Sequence, residues 1–111
     1  MVIMMNVQFK KGVLELCVLI LTSHKDRYGY ELVEEISKKF EISEGGIYPL
    51  LRRMTKEELF STYLSESKEG PPRKYYAITN KGLLLKDELL KEWNHFTQGV
   101  QEIIHGEDSH D

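Results

Sequence analysis

The stretch SEGGIYPLLRRM (residues 43–54) gathers side chains suited to contacting a polyanion. Tyr48 and Arg52 stand four apart, so a helix places them on one face. An Arg there could take a guanine edge or a phosphate, and a Tyr could meet a phosphate or a thymine methyl. Arg53 and Lys56 fall on the same polar side. Gly45 and Gly46 in a first helical turn cost about 1 kcal/mol each relative to Ala. Their use points to close backbone approach, and the free amides of a helix start suit a phosphate. Ser43 can cap those amides. Pro49 has no amide to donate and is tolerated near a helix start, so the regular helix is expected to begin later than Ser43 implies. The plainer alternative is a solvated helix face behind a flexible loop.

A second basic group, Lys68, Arg73 and Lys74, surrounds a stiff Pro71-Pro72 pair. Arg or Lys at the tip of a hairpin can enter a minor groove or hold a phosphate. Glu66 and Glu69 dilute this charge. Residues 45–79 carry six Lys/Arg against four Glu, whereas residues 80–111 carry three Lys against seven acids, in a chain of net charge −3. Any nucleic-acid binding must therefore come from a focused patch.

Catalytic chemistry has no comparable support. No HExxH, CxxC, P-loop or GxSxG pattern occurs. His24, His95, His105 and His110 share no ligand-like spacing, and the last two sit in an acidic tail with Glu107, Asp108 and Asp111 that reads as disordered. No enzyme activity, metal or cofactor is expected. The lone Cys17 excludes a disulfide framework and is expected to be a buried structural thiol. The N-terminal residues lack the pattern of a secretion signal, and no apolar run approaches the length that spans a bilayer. The expected location is cytoplasmic, without membrane contact.

The elements that would position these groups follow from periodicity. Phe9–Thr22 reads as a helix apolar almost all round, which belongs in a core or between subunits; Leu14 and Val18 are assigned to a subunit interface. After the polar break SHKDR, Tyr28–Phe40 is amphipathic, with Asp26 as its expected N-cap. The third helix runs from Ser43 to about Glu58, with Ile47, Leu50, Leu51 and Met54 inward. FSTYLSES and RKYYAIT have strand composition, and KEGPPR joins them with a Gly-Pro-Pro turn that is expected not to continue a strand. Thr79 or Asn80 caps a last helix of about Lys81–Ile104. Its Leu89, Trp93, Phe96, Val100 and Ile103 lie 4, 3, 4 and 3 apart, a seam that predicts a partner helix. The expected fold is mainly α with a small β-wing (α+β): a winged helix-turn-helix over 9–79, a long dimerisation helix over 80–104 and a disordered acidic tail over 105–111.

The pieces YGYELV (28–33), SEGGIYPLLRRM (43–54) and GPPRKYYAITNKG (70–82), in this order and spacing, resemble the short form of the PadR family of bacterial transcriptional regulators. The resemblance covers about Lys11 to Ile104. It implies a winged-helix domain, a C-terminal dimerisation helix, and a homodimer that represses transcription from a palindromic operator in double-stranded DNA. It places Ser43, Gly46, Tyr48, Pro49 and Arg52 in the recognition element and Arg73, Lys74 and Tyr75 in the wing, with Tyr76 and Ile78 anchoring the wing to the core. Trp93 falls where some short members stack planar apolar compounds between subunits. With Phe96 it is a candidate site for a small aromatic effector, dimer packing being its plainer role. One departure is Glu58, which stands where the family usually has a glycine near the end of the recognition helix. The alternative reading, prompted by the net charge and the Glu residues around the wing, is a winged-helix protein-interaction module without DNA binding.

Overall fold

The computed structural model describes residues 7–41 and 44–106, with side chains for 10–41 and 46–106. Ser43 and tail residues 107–111 lie outside the described residues. The elements are α1 (Val7–His24), β1 (Arg27–Tyr28), α2 (Gly29–Ser37), α3 (Glu44–Lys56), β2 (Phe60–Ser67), β3 (Gly70–Ile78) and α4 (Asn80–His105). Four helices and a small antiparallel sheet make this an α+β fold, as expected.

The core forms where the apolar faces of α1, α2 and α3 meet the base of the sheet. Val18 and Leu19, Leu32 and Ile36, Ile47, Leu51 and Met54 are buried there together with Phe60 and Tyr76. Burial of each such side chain contributes about 1.5–3 kcal/mol. Leu14 and Val18, expected at a subunit interface, are instead packed into this core, at 7% and 0% exposure. Val18, with no accessible surface in its own protomer, has none left to offer a partner, and Leu14 keeps only a small remnant. The reason is that α1 is the central helix of the head, so its apolar sides are covered by α2, the sheet and α4.

The sheet has three strands, not two, in the order β1-β3-β2. The short β1 pairs Arg27 with Tyr76 and Tyr28 with Tyr75. Tyr28 is therefore extended, not the first residue of a helix, and it occupies the N-cap position of α2 without a side-chain cap bond. Asp26, the expected cap, instead accepts a hydrogen bond from the Tyr63 hydroxyl at 2.7 Å. At its other end α2 stops at Ser37, short of Phe40.

The prolines also depart from expectation. The hairpin turn is Lys68-Glu69, and Pro71 and Pro72 lie inside β3. Ser67 pairs with Gly70 and Ser65 with Arg73, so three steps of β3 span two steps of β2. This bulge accommodates residues that cannot donate to a ladder. On the opposite edge β1 reaches only Tyr75 and Tyr76, so no bond is required of the prolines there.

The exit from α3 is a Schellman turn. Leu59 N donates to Met54 O and Glu58 N to Thr55 O, each at 2.9 Å. Glu58 holds the left-handed position with φ of 64°, where glycine costs least and other residues are strained. Glu58→Gly should therefore stabilise the protein by about 1 kcal/mol, raising Tm by about 4–6 °C. Thermal unfolding checks this, and an unchanged or lower Tm would contradict it.

Thr79 caps α4, accepting from Gly82 N at 3.1 Å. Its hydroxyl also donates to Glu58 O at 2.7 Å, tying the start of α4 to the Schellman turn. From this anchor α4 runs for 26 residues, about 39 Å at helical rise. Only its first half packs on the head, through Leu85 and Leu89. The radius of gyration is accordingly 16.9 Å, against about 13 Å for a compact domain of this length.

Candidate nucleic-acid interface

α3 turns Ile47, Leu50, Leu51 and Met54 into the core and leaves Gly46, Pro49, Arg52 and Lys56 exposed. Pro49 is the sixth residue of α3, and the helix continues through it. Tyr48 is half-buried against the first turn of α2, so close that a Cβ on Gly29 would lie 3.0 Å from its ring. Beyond it Tyr76 packs edge-on against Phe60, centroids 5.9 Å apart. Burial pushes the Tyr76 phenol up, the neighbouring Tyr48 adds to this, and Arg52 opposes it. The polar ends of Tyr48, Arg52 and Tyr76 thus share one neighbourhood at the foot of the wing.

Successive residues of β3 point to opposite faces. Lys74 and Tyr76 share the face toward α3, with the ammonium 5.7 Å from the Tyr76 ring centroid. A cleft of about 610 Å³ opens between this face, the start of α2 and Tyr48, bordered by Tyr30, Pro71, Pro72 and Lys74. The opposite face carries a row of tyrosines across all three strands. Tyr63 stacks on Tyr75 at 5.5 Å with 11° between planes, and Tyr28 meets Tyr75 at 5.5 Å. The Arg73 guanidinium covers the Tyr28 ring at 4.5 Å, a cation–π contact.

Of the expected contact residues, Tyr48, Arg73 and Lys74 border the cleft, while Gly46, Pro49 and Arg52 are exposed on α3 beside it. Lys68 is exposed in the hairpin turn. Two others have different work. Arg53 pairs with Glu57 at 2.9 Å and with Glu15 of α1 at 3.3 Å. Burial alone would lower its pKa, but the bond to Glu57 and the charges of Glu15 and Glu57 raise it on balance. Arg53 follows Arg52 by one residue and so turns about 100° around the helix, toward α1. Tyr75 stands at the centre of the tyrosine row that braces the wing. Tyr30 was missed: it is 54% exposed on α2 and borders the cleft. The one available signal was that it falls off the apolar stripe of Leu32, Val33 and Ile36.

The far half of α4 is uncovered. Phe96, Val100, Ile103 and Ile104 are 55%, 40%, 81% and 60% exposed. Trp93 lies 6.4 Å from Phe96, centroid to centroid. With Gly12, Val13, Leu16 and Leu89 they line an apolar groove of about 540 Å³ between α1 and α4. Cys17 is half-buried, and burial raises its pKa, which disfavours the reactive thiolate. Among the described residues no cluster of His, Cys, Asp and Glu could hold a metal ion, and no helix is long and apolar enough to cross a membrane.

A helix presenting Tyr48 and Arg52 beside a two-stranded hairpin, on a three-helix head, defines the winged-helix class of DNA-binding folds. Comparison with known proteins narrows the class. Residues 18–85 match the Transcriptional regulator PadR-like family. A PadR-like transcriptional regulator from Bacillus cereus is 44% identical, with a TM-score of 0.79 over 87% of this chain and 96% of that one. A solved protein of Streptococcus mutans is 33% identical, with a TM-score of 0.82 over 91% of this chain and 94% of its own. An uncharacterised protein of Lysinibacillus sphaericus is 40% identical over 98 residues, 85% of this chain and 86% of that protein. The chain belongs to the PadR-like family of transcriptional regulators.

Proposed function

We propose that this protein is a cytoplasmic homodimeric repressor that binds a palindromic operator in double-stranded DNA and has no enzymatic activity. The observation that carries the reading is the placement of Tyr48 and Arg52 on the open face of α3 beside the wing cleft. In this reading residues 9–79 form the DNA-binding head, 80–104 the dimerisation helix and 105–111 an acidic tail. Ser43, Gly46, Tyr48, Pro49 and Arg52 address the major groove, while Lys68, Arg73 and Lys74 hold the adjacent backbone. A second copy covers Phe96, Val100 and Ile103, which their exposure supports. Pairing is needed because two weak heads joined on one palindrome gain roughly 10²–10⁴ in binding.

Selection of genomic fragments by the purified protein tests this. The expected result is enrichment of one palindromic sequence; the absence of any sequence above background would contradict it. Arg52→Ala should weaken binding to the enriched site by about 1–3 kcal/mol and relax preference at one base pair. Equal affinity for all substitutions at every position, before and after the change, would remove Arg52 from base reading.

The α1–α4 groove supports a second element, release by a planar aromatic effector seated against Trp93 and Phe96. Such a compound should quench Trp93 fluorescence saturably and lower DNA affinity. Failure of a panel of planar aromatics to do either would count against it.

A further inference from the structure

The charge available for phosphate contact is thin. Residues 45–79 have a surplus of two positive charges. Arg53 is drawn off by Glu15 and Glu57, whereas Arg73, over the neutral Tyr28 ring, keeps its charge and borders the cleft between α2 and the wing. The same cleft adds neutral donors to this charge. Tyr30, Tyr48 and Tyr76 border it, each with a hydroxyl able to donate, and Lys74 supplies an ammonium from the wing. Tyr30 is 54% exposed, projecting from the first turn of α2, and Glu69 is the one carboxylate that borders the same cleft.

We propose that this cleft seats a DNA-backbone phosphate, held by the Tyr30 hydroxyl from α2 and the Lys74 ammonium from the wing. The inference rests on the DNA-binding reading and adds Tyr30 to the contact residues. Four features favour a phosphate here over a base. The cleft lies beside, not on, the outward face of α3 that carries Arg52. Its donors come from two separate elements, as backbone contacts do when they fix register. It borders the wing, whose Pro71 and Pro72 leave no freedom to follow a base edge. Lys74 gives a point charge without the fork that guanine recognition exploits.

The two side chains leave different signatures. A neutral hydroxyl bound to phosphate contributes affinity without releasing a counterion, whereas an ammonium releases one. Tyr30→Phe keeps the ring and removes only the donor at an exposed position. It should weaken binding about three- to ten-fold, by the same factor for the selected operator duplex and for a scrambled duplex of equal length. The slope of log affinity against log salt should stay unchanged. Lys74→Gln should weaken both duplexes and make that slope shallower by about 0.9 for each protomer bound.

Fluorescence anisotropy with the two duplexes over a series of salt concentrations reads all of this. Unchanged affinity of Tyr30→Phe for both duplexes would overturn the seat, as would a loss confined to the operator duplex, which would mark a base contact. An unchanged salt slope in Lys74→Gln would remove the ammonium from the phosphate. A wild-type protein that binds neither duplex would overturn the DNA-binding reading itself, which is a separate and recognisable result.

Discussion

Replacing Phe96 and Ile103 with Asp should give a folded monomer that binds its operator at least about 100-fold more weakly than the wild type. Both side chains are largely exposed in the protomer, Ile103 at 81%, so the head loses almost no packing. Across a paired seam each would be buried against its counterpart. A carboxylate forced into that position meets apolar neighbours and a second carboxylate, and burial of an unpaired charge costs several kcal/mol. The loss of DNA binding follows from geometry alone, because one head keeps Tyr48, Arg52 and Lys74 but no longer delivers a second. Sedimentation gives the oligomeric state and anisotropy the affinity. A variant that remains dimeric would place the interface elsewhere. A monomer that binds as tightly as the wild type would show that one head suffices.

Gly82→Ala should destabilise the fold by about 2–3 kcal/mol, lowering Tm by about 10–15 °C. Propensity alone predicts the opposite, since Ala favours a helix over Gly by about 1 kcal/mol. Close approach decides the sign. A Cβ at Gly82 would lie 2.4 Å from Leu59 O and 2.7 Å from Ile78 Cγ1. Leu59 O cannot retreat freely, because it accepts from Thr79 N at 3.0 Å. Relief must come from lifting the first turn of α4 off the Schellman turn, which breaks the Thr79 cap and re-aims the long helix. The same change should therefore alter the spacing of two heads on DNA. A Tm equal to or above that of the wild type would mean that α4 is not seated as described.

The apolar stripe of α4 and the close approach at Gly82 differ in how much of each the sequence displays. The seam of α4 was legible because a spacing of three and four leaves an unambiguous stripe, and no part of the chain described covers its far half. The strand β2 and the Thr79 cap were legible for similar local reasons. Gly82 was visible only as one more glycine in GPPRKYYAITNKG, since the carbonyl that excludes a Cβ there belongs to Leu59, far away in the chain. The short β1 was hidden in the same way: two residues have no periodicity, and Tyr28 becomes a strand residue only because Tyr75 pairs with it. Asp26 was read as a local cap, but a hydroxyl from Tyr63 across the sheet claimed it.

The prolines failed for a different reason. Proline cannot donate to a ladder, which favours Pro71 and Pro72 as the turn, and that rule holds. It does not forbid a strand whose bulge and open edge ask no bond of them. Charge counting had a comparable weakness. Arg52 and Arg53 are equivalent in composition, yet a 100° step around α3 gives one to the open face and the other to Glu15 and Glu57. Leu14 and Val18 show the same limit for apolar residues, since an all-round apolar helix fits a core and an interface equally well until its neighbours are placed.

In the proposed function the α3 face and the wing form a DNA-reading surface. An anisotropy titration of the intact protein against the enriched palindromic duplex, repeated from low to high salt, tests it most directly. Binding should be saturable and weaken linearly in log–log form as salt rises, with the palindrome preferred to a scrambled duplex throughout. Affinity absent at low salt, together with a stable complex with another protein, would contradict it and assign the same head to protein interaction.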